Sequence, residues 1–268
     1  MEHELTAQQL EEDSHWWFSS RTRALLAMLD RWVRRNNLSV LDVGCGAGNM
    51  IHHLSRYGTV VGMDNNPLPL RIAHERGYDA RLGSAEDMPF EDGSFELVTA
   101  LDVIEHCEDD LQILRECYRV CAPEGLITVT VPAFQWLWSN NDVVNDHKRR
   151  YSGSELRARV SQAGFVIKRM TYNNFFILPI AAALILARRR TEREPELATP
   201  STNEDAYQVE MEPASRPVNA FLTGVGLLEA AVLRFASLPF GTSIICVARK
   251  EREADNLSAA PSDTRAEP

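Results

Sequence analysis

The sequence predicts an α/β fold with a doubly wound parallel sheet, and three observations support this prediction. Residues 37–132 alternate short, β-branched apolar runs with helical patterns, which is typical of βαβ units. The first run, 40–43, leads directly into a turn that contains three glycines. A second run, 59–63, ends on Asp64. We therefore expect a ligand crevice at the carboxyl edge of the sheet.

The individual elements follow from the changes of periodicity along the chain. Residues 5–35 have a helical pattern with an uneven apolar face. Strands are then predicted over 39–43, 59–63, 78–82, 95–101 and 125–132, with connecting helices over 48–56, 67–76 and 108–121. A helix over 153–164, a strand over 165–170 and a last strand over 242–248 complete the predicted core.

The glycine-rich turn indicates a nucleoside site. Glycine lets the backbone turn sharply and approach a ligand closely, and Asp64 can accept hydrogen bonds from both hydroxyls of a ribose. A dinucleotide site usually has the pattern G-x-G-x-x-G/A, whereas this chain has Asn49 at the third small position. The turn therefore argues against an NAD-dependent reductase, which stays the less favoured alternative.

With the segments 83–90 and 93–98 added, the chain resembles the class I S-adenosylmethionine (SAM)-dependent methyltransferases over about residues 38–170. The resemblance implies a Rossmann-like sheet of seven strands with an antiparallel final pair, and SAM as the cofactor. Methyl transfer from a sulfonium requires the protein mainly to align donor and acceptor. The implied cofactor-binding residues are Asp42, Gly44, Cys45, Gly46, Asp64, Asn65, Ser84, Ala85, Glu86 and Leu101.

The fourth strand leads into the run D-V-I-E-H at 102–106, which resembles E-V-I/L-E-H in the ubiquinone-biosynthesis O-methyltransferases. In those enzymes the carboxylates and the histidine are associated with a divalent metal, so Asp102, Glu105 and His106 are candidate ligands. We assign no metal from the sequence, because Asp102 replaces a longer glutamate. His106 is alternatively a catalytic base, since imidazole titrates near neutral pH, or part of a polar helix start.

The loop after the fifth strand carries the candidate acceptor site. Trp136 and Trp138 are expected to wall an apolar or aromatic acceptor, and Arg149 and Arg150 to bind an anionic one. His147 is a second candidate catalytic residue, because the run H-x-R-R-Y resembles one bacterial branch of these enzymes. The alternative is a solvated surface loop whose tryptophans pack on the core.

The N-terminal segment, residues 1–36, predicts a helical cap over the methyltransferase core at 37–172. Its run E-x-x-x-H-W-W-F-x-x-R is similar to the start of the same bacterial branch, so Glu11, His15 and Arg21 are expected to face the ligand. The alternative is a helix that packs its aromatic side chains on the core.

Residues 173–240 are predicted to be an insertion before the last core strand at 241–250. Two apolar segments flank a linker over 191–217, which we expect to be flexible, as we do the tail over 251–268. Neither segment predicts a membrane span, because the first is too short and the second contains Glu229 and Arg234. The pair predicts an apolar helical hairpin that contacts a membrane surface through the arginines that follow its first segment, or that is buried against protein.

Composition limits the partners and the compartment. A net charge of −10 argues against a nucleic-acid backbone as the main partner. The five cysteines contain no C-x-x-C pair and the start is acidic, so we expect no signal peptide and a cytoplasmic enzyme, with the inner face of the membrane as the alternative. The predicted function is SAM-dependent methylation of an oxygen atom on a small or lipid-linked acceptor. The alternative from another class is a catalytically silent SAM-binding scaffold that docks a partner through the hairpin.

Overall fold

A single twisted sheet forms the centre of the molecule. The computed structural model describes residues 14–191 and 215–252. The strands are β1 (Leu38–Val43), β2 (Gly58–Asp64), β3 (Ala80–Leu82), β4 (Phe95–Leu101), β5 (Cys121–Pro132), β6 (Val166–Asn173) and β7 (Ser243–Arg249). Their order in the sheet is β3-β2-β1-β4-β5-β7-β6, and β7 is antiparallel to both neighbours. The predicted doubly wound sheet of seven strands with an antiparallel end is confirmed.

Helices cover both faces of this sheet. They are α1 (Trp16–Leu29), α2 (Asn49–Leu54), α3 (Pro67–Glu75), α4 (Asp110–Val120), α5 (Asn140–Val144), α6 (Gly153–Gln162), α7 (Leu178–Thr191) and α8 (Arg216–Leu233). Because side chains alternate along a strand, Val40 packs with α1, α2 and α3 on one face, and Leu41 packs with α4 and α6 on the other. Both side chains are fully buried, as the near-continuous apolar strand sequences predict.

Side-chain caps determine where several helices begin. The side chain of Asn66 accepts a hydrogen bond from the first turn of α3, and Asp109 does the same for α4 through the backbone N–H of Gln112, at 2.9 Å. At α6, Ser152 and Glu155 form a reciprocal capping box. These caps follow from local sequence, which explains why the predicted helix positions are close to the observed ones.

The order of the strands reverses between β1 and β4. The chain proceeds outward from β1 to β2 and β3, then returns to place β4 on the other side of β1, where Val43 pairs with Ala100. The connections that leave β1 and β4 therefore turn to opposite sides and open a crevice at their carboxyl ends.

The predicted cap and the predicted insertion lie side by side, because α1 packs along α8. The backbone N–H of Trp16 donates to Asn219 Oδ1 at 2.9 Å, and the Asn219 amide donates to Ser14 O at 2.8 Å. Farther along, Gly226 is buried against Ser20. Glu11, residues 192–214 of the predicted linker and insertion, and the predicted tail from residue 253 lie outside the described residues.

Glu229, which interrupts the second apolar segment, points into the protein. Its carboxylate accepts hydrogen bonds from the backbone N–H groups of Asn174 and Phe176 in the turn between β6 and α7, and its residue is only 3% exposed. Buried carboxylates persist when such donors satisfy them. Within the described part of the chain, no helix is both long enough and apolar enough to cross a bilayer.

Gly226 provides a test of the contact between α1 and α8. A Cβ atom at position 226 would lie 2.0 Å from Ser20 Oγ and 2.8 Å from Ser20 Cβ, whereas a Cβ atom at Gly224 would meet nothing within 4 Å. We expect Gly226→Ala to lower the free energy of unfolding by about 1–3 kcal/mol through overpacking. Gly224→Ala should raise it by up to about 0.5–1 kcal/mol, because alanine favours a helix over glycine. Urea unfolding followed by circular dichroism measures both, and equal stability of the two variants would contradict the packing of α1 on α8.

Candidate active site

The glycine-rich turn after β1 is fastened to the end of β2. Gly44 and Gly46 have φ angles of 69° and 53°, in the left-handed region that favours glycine. The backbone N–H groups of Gly44 and Cys45 donate to Met63 O at 2.7 and 3.0 Å, and that of Gly46 donates to Asp64 Oδ2 at 2.9 Å. The backbone of residues 44–46 is thereby held next to the Asp64 carboxylate.

Asp64 keeps acceptor capacity for a ligand. Its Oδ1 accepts from the backbone N–H of Asn66 at 2.9 Å and its Oδ2 accepts from Gly46, while the side chain is half-buried at the sheet edge. A carboxylate has about four acceptor positions, so about two remain. Two adjacent ribose hydroxyls match that capacity. Asn65, the next predicted cofactor residue, is exposed beside it.

Asp42 lies behind the turn and is only 2% exposed. The hydroxyl of Thr99 on β4 donates to Asp42 Oδ1 at 2.7 Å. Burial raises the pKa of Asp42 to about 7; the Thr99 hydrogen bond opposes this shift, and the charge of Asp64 adds to it. A cationic ligand group near Asp42 would favour the ionised carboxylate.

Arg76 supports the turn from the rear, a role that the sequence did not predict. The side chain is buried, and its Nη1 donates to Ala47 O at 3.0 Å and to Asn49 Oδ1 at 2.6 Å. Asn49 thus contacts Arg76, at the position where a dinucleotide motif would have a small residue. No local pattern connects Arg76 with the turn, because the two are far apart in sequence.

The other predicted cofactor residues occur at the same edge of the sheet. Ser84, Ala85 and Glu86 follow β3, where Ser84 Oγ accepts from the backbone N–H of Glu86 at 3.2 Å. Gln112 on α4 donates to Glu86 O at 3.1 Å and fixes this loop. Leu101 ends β4 and is half-buried. The predicted set thus lies along the carboxyl ends of β1 to β4.

Arg21 from α1 reaches this edge and forms an ion pair with Asp102. Asp102 follows β4 with a φ of 55°, and Thr130 Oγ1 donates to its Oδ1 at 2.9 Å. Both Asp102 oxygens therefore have protein partners. His15, in contrast, caps α1: its Nδ1 accepts from the backbone N–H of Trp17 at 3.3 Å. A ligand contact from His15 stays a prediction.

Glu105, His106 and His147 come together although they belong to two different segments. One ligand atom from each lies within 4.8 Å of the other two, and the two imidazole rings are 4.7 Å apart at 83°. Glu105 has no exposed surface, and neither of its carboxylate oxygens has a hydrogen-bond partner among the described residues. Burial raises the pKa of Glu105 to about 8, against the charges of Arg21 and Arg150. Burial and the neighbouring His147 lower the pKa of His106.

Asp142 organises the loop that carries His147, and sequence reasoning assigned it no role. It is fully buried and accepts hydrogen bonds from His147 Nδ1 at 2.9 Å, Arg150 Nε at 2.7 Å and the backbone N–H of Ser139 at 2.8 Å. Burial by itself would raise the pKa of Asp142, but His147 and Arg150 outweigh it and hold the pKa well below the usual range. Asp142 is therefore a carboxylate that keeps His147 in place.

The predicted acceptor-binding arginines both contact protein groups. Arg149 Nη2 donates to Cys107 O and Glu108 O at 2.9 Å, and Arg150 donates from Nε and Nη2 to Asp142 at 2.7 and 2.9 Å. Arg149 fastens the loop to the segment after β4, and Arg150 holds parts of the loop together, so an anionic acceptor would have to share these donors. Binding of the acceptor by either arginine stays a prediction.

The predicted tryptophans differ in their exposure. Trp136 is 48% exposed and stacks on Phe134 with ring centroids 5.8 Å apart, and Phe134 stacks on Tyr172 at 5.1 Å. Trp138 is half-buried. An aromatic column thus follows β5, on the loop that also carries His147.

Comparison with known proteins agrees with this geometry. A family model described as a methyltransferase domain matches residues 41–129. A probable S-adenosylmethionine-dependent methyltransferase of Mycolicibacterium smegmatis is 29% identical over 165 residues, which cover 58% of this chain and 62% of that protein. The ubiquinone biosynthesis O-methyltransferase of Pseudomonas entomophila is 34% identical over 110 residues, or 37% of this chain and 46% of the relative. The chain thus spans about half to three fifths of the length of these two relatives.

Solved structures agree on the fold. A proposed sarcosine dimethylglycine methyltransferase from Galdieria sulphuraria superimposes with a TM-score of 0.57 at 18% identity, over 87% of this chain and 86% of that one. The predicted class I, Rossmann-like architecture is confirmed, and the cofactor that the matched family implies is SAM. Residues 41–129 thus match a methyltransferase domain, and the chain is similar to SAM-dependent methyltransferases over part of its length.

Proposed function

We propose that the protein transfers the methyl group of SAM to an oxygen atom of a small acceptor. The observation that carries this proposal is the position of Asp42 and Asp64, beside the glycine-rich turn, at the same sheet edge as the group Glu105, His106 and His147. A donor site and a proton-accepting site thus adjoin at the crevice between β1 and β4.

The cofactor would be held from four strand ends. Asp64 accepts from the ribose hydroxyls, using the acceptor positions that Gly46 and Asn66 leave open. The backbone of Gly44 to Gly46 lines the methionine part, and Asp42 attracts its amino group, directly or through water. Ser84, Ala85 and Glu86 would line the adenine, and Leu101 would lie beside the methionine end of the cofactor and the acceptor. Bound SAM supplies a methyl group on a positively charged sulfur.

The acceptor step needs a proton acceptor if the nucleophile is a hydroxyl. The oxygen forms a bond to the methyl carbon as the carbon–sulfur bond breaks, and the hydroxyl proton passes to an imidazole of His106 or His147. Asp142 holds the His147 ring, so its Nε2 is the basic nitrogen. Trp136 and Phe134 offer an aromatic wall for the acceptor. The ubiquinone O-methyltransferase name of one relative supports oxygen as the nucleophile.

The acceptor is further proposed to be lipophilic, with a membrane surface as its source. α7 exposes Ile180 and Leu184 at 57% and 56%, α8 exposes Phe221 and Leu228 at 66% and 57%, and Phe235, just after the end of α8, is 85% exposed. We define these five side chains as the apolar surface. Phe221 and Leu228 are seven residues apart on α8, so they lie on one helix face. A face of this kind suits the interface of a bilayer, and the protein would then act in the cytoplasm, at the inner face of the membrane.

Asp64 tests the donor site and the reaction together. We expect the full chain to bind SAM and to release S-adenosylhomocysteine with at least one member of a panel of phenols, catechols and extracted lipids. Asp64→Ala should abolish SAM binding, because the ribose hydroxyls lose their acceptor. Titration calorimetry measures affinity, and release of S-adenosylhomocysteine measures turnover.

Asp79→Ala is the matched control, since Asp79 is an exposed aspartate that pairs with Arg81 on the surface. It should bind SAM like the parent chain. Unchanged SAM affinity in Asp64→Ala would contradict the proposed cofactor pose. SAM binding without turnover on any acceptor would favour the SAM-binding scaffold, which the apolar surface also suits.

Asp42 makes SAM affinity depend on pH. Its pKa is raised to about 7, so the carboxyl is protonated below that pH and must lose its proton when it meets a cationic amino group. The dissociation constant of SAM should therefore rise as pH falls from 7.5 to 5.5, by up to about tenfold per unit. Asp42→Asn keeps the Oδ1 acceptor for Thr99 and should bind weakly at every pH. Calorimetry across this range decides, and an equally steep pH dependence in Asp42→Asn would contradict the assignment.

The apolar surface predicts binding to vesicles. Burial of one large apolar side chain contributes about 1.5–3 kcal/mol, so Phe221→Ser with Leu228→Ser should abolish flotation with phosphatidylserine-containing liposomes. Leu82→Ser removes an apolar side chain that is 62% exposed on β3 and serves as the control that should still float. Thermal unfolding verifies that each variant is folded. Flotation of the double variant at the parent level would contradict membrane contact through this surface.

A further inference from the structure

We propose that Glu105, His106 and His147 bind a divalent transition-metal ion, with His147 as the third ligand where the sequence pattern favours Asp102. The binding itself stands on geometry alone. Its use in catalysis rests on the proposed function, because the site adjoins the acceptor crevice. The run at 102–106 offers three candidate metal ligands, and two of them, Glu105 and His106, belong to this set.

The donor set is compact and has a defined chemistry. One carboxylate oxygen and two imidazole nitrogens lie within 4.8 Å of one another, so a contraction of about 1 Å would bring all three to the 2.0–2.2 Å typical of zinc. Two imidazoles with one carboxylate suit Zn²⁺, Mn²⁺ or Fe²⁺ better than Mg²⁺ or Ca²⁺, which prefer oxygen ligands.

Glu105 points to a missing partner. Its residue has no exposed surface, and neither carboxylate oxygen has a hydrogen-bond partner among the described residues. Buried carboxylates are almost always paired, hydrogen-bonded or coordinated to a metal. Its backbone carbonyl accepts from Lys148 N at 2.8 Å, which joins the turn that carries Glu105 to the loop that carries His147. A cation between the three side chains would satisfy the orphaned carboxylate.

His147 is oriented as a metal ligand usually is. Asp142 is ionised and can only accept, so the 2.9 Å contact requires the proton on His147 Nδ1. The basic lone pair is then on Nε2. Metal-bound histidines typically donate their second ring N–H to a carboxylate in this way, which fixes the tautomer and the ring. Asp142 is thus a positioning residue for the proposed site.

Asp102 is engaged elsewhere and does not join the set. Its carboxylate pairs with Arg21 and accepts from Thr130 Oγ1 at 2.9 Å. The charge balance near the site also favours a cation. Arg21 balances Asp102, and Arg150 balances Asp142, with its Nε 2.7 Å from Asp142 Oδ1. Glu105 has no ion-pair partner among the described residues, and a divalent ion would favour its ionised form. A bound cation lowers the pKa of a hydroxyl that contacts it. With the ion bound, the two imidazoles would therefore serve as its ligands, and the hydroxyl proton would pass to solvent and not to His106 or His147.

Metal binding by the full chain tests the proposal without any methyl acceptor. The protein is stripped with EDTA and titrated with Zn²⁺ by calorimetry, and with Co²⁺ by visible absorption. We expect one ion per chain. His147→Gln and His106→Gln should each weaken Zn²⁺ binding by at least the 10–100-fold that loss of an outer-sphere partner typically costs, and should alter the Co²⁺ spectrum. Asp102→Asn is the matched control and should bind Zn²⁺ like the parent chain.

Each preparation is also tested for thermal unfolding and for SAM binding, so that its failure can be assigned. Zn²⁺ should raise the melting temperature of the parent chain and of Asp102→Asn, but not of the two histidine variants. A stripped parent chain that binds SAM but no stoichiometric Zn²⁺ or Co²⁺ would overturn the metal proposal and leave the proposed function intact. Loss of metal in Asp102→Asn, with full binding in His147→Gln, would also overturn it. Failure to bind SAM would contradict the proposed function alone.

Discussion

The pairing of β1 with β4 is the constraint on which the candidate site depends. These strands are neighbours in the sheet although β2 and β3 lie between them in sequence, so the connections that leave them turn to opposite faces. The space that opens above Asp42 and Leu101 is a result of this connectivity, and the loops need only line it. The hydrogen bond from Thr99 to Asp42 crosses the same strand pair and keeps a nearly neutral-titrating carboxyl directly beneath that space.

A second layer of support comes from buried polar residues that touch the loops rather than the crevice. Arg76 holds the glycine-rich turn, and Asp142 holds the loop after β5 through His147 and Arg150. Both side chains are buried, so water rarely replaces their hydrogen bonds. This keeps the two loops rigid. Rigid loops suit a reaction in which the protein chiefly aligns two reactants.

The sequence was most informative where the signals are local. Apolar runs and glycines predicted the strands from β1 to β5, because the periodicity and turn chemistry of each lie within a few residues. The cofactor residues that follow these strands were implied by the family resemblance and stay a prediction. The same reasoning did not reach Arg76 or Asp142, whose partners are distant in sequence or depend on a loop conformation. The resemblance of the run at 102–106 to the ubiquinone-biosynthesis O-methyltransferases also grouped Asp102 with Glu105 and His106. The fold instead turns Asp102 toward Arg21 and brings His147 from another segment.

The packing of α1 on α8 has a mechanical consequence. One end of this helix pair bears Arg21, which reaches Asp102, and its outer side bears Phe221 and Leu228. Gly226 permits the two backbones to approach closely, since a Cβ atom at this position would lie 3.4 Å from Ser20 Cα. If a ligand on the outer side displaced this helix pair, it would also change the affinity of the crevice for its own ligand, and by reciprocity each ligand would change the affinity for the other to the same degree.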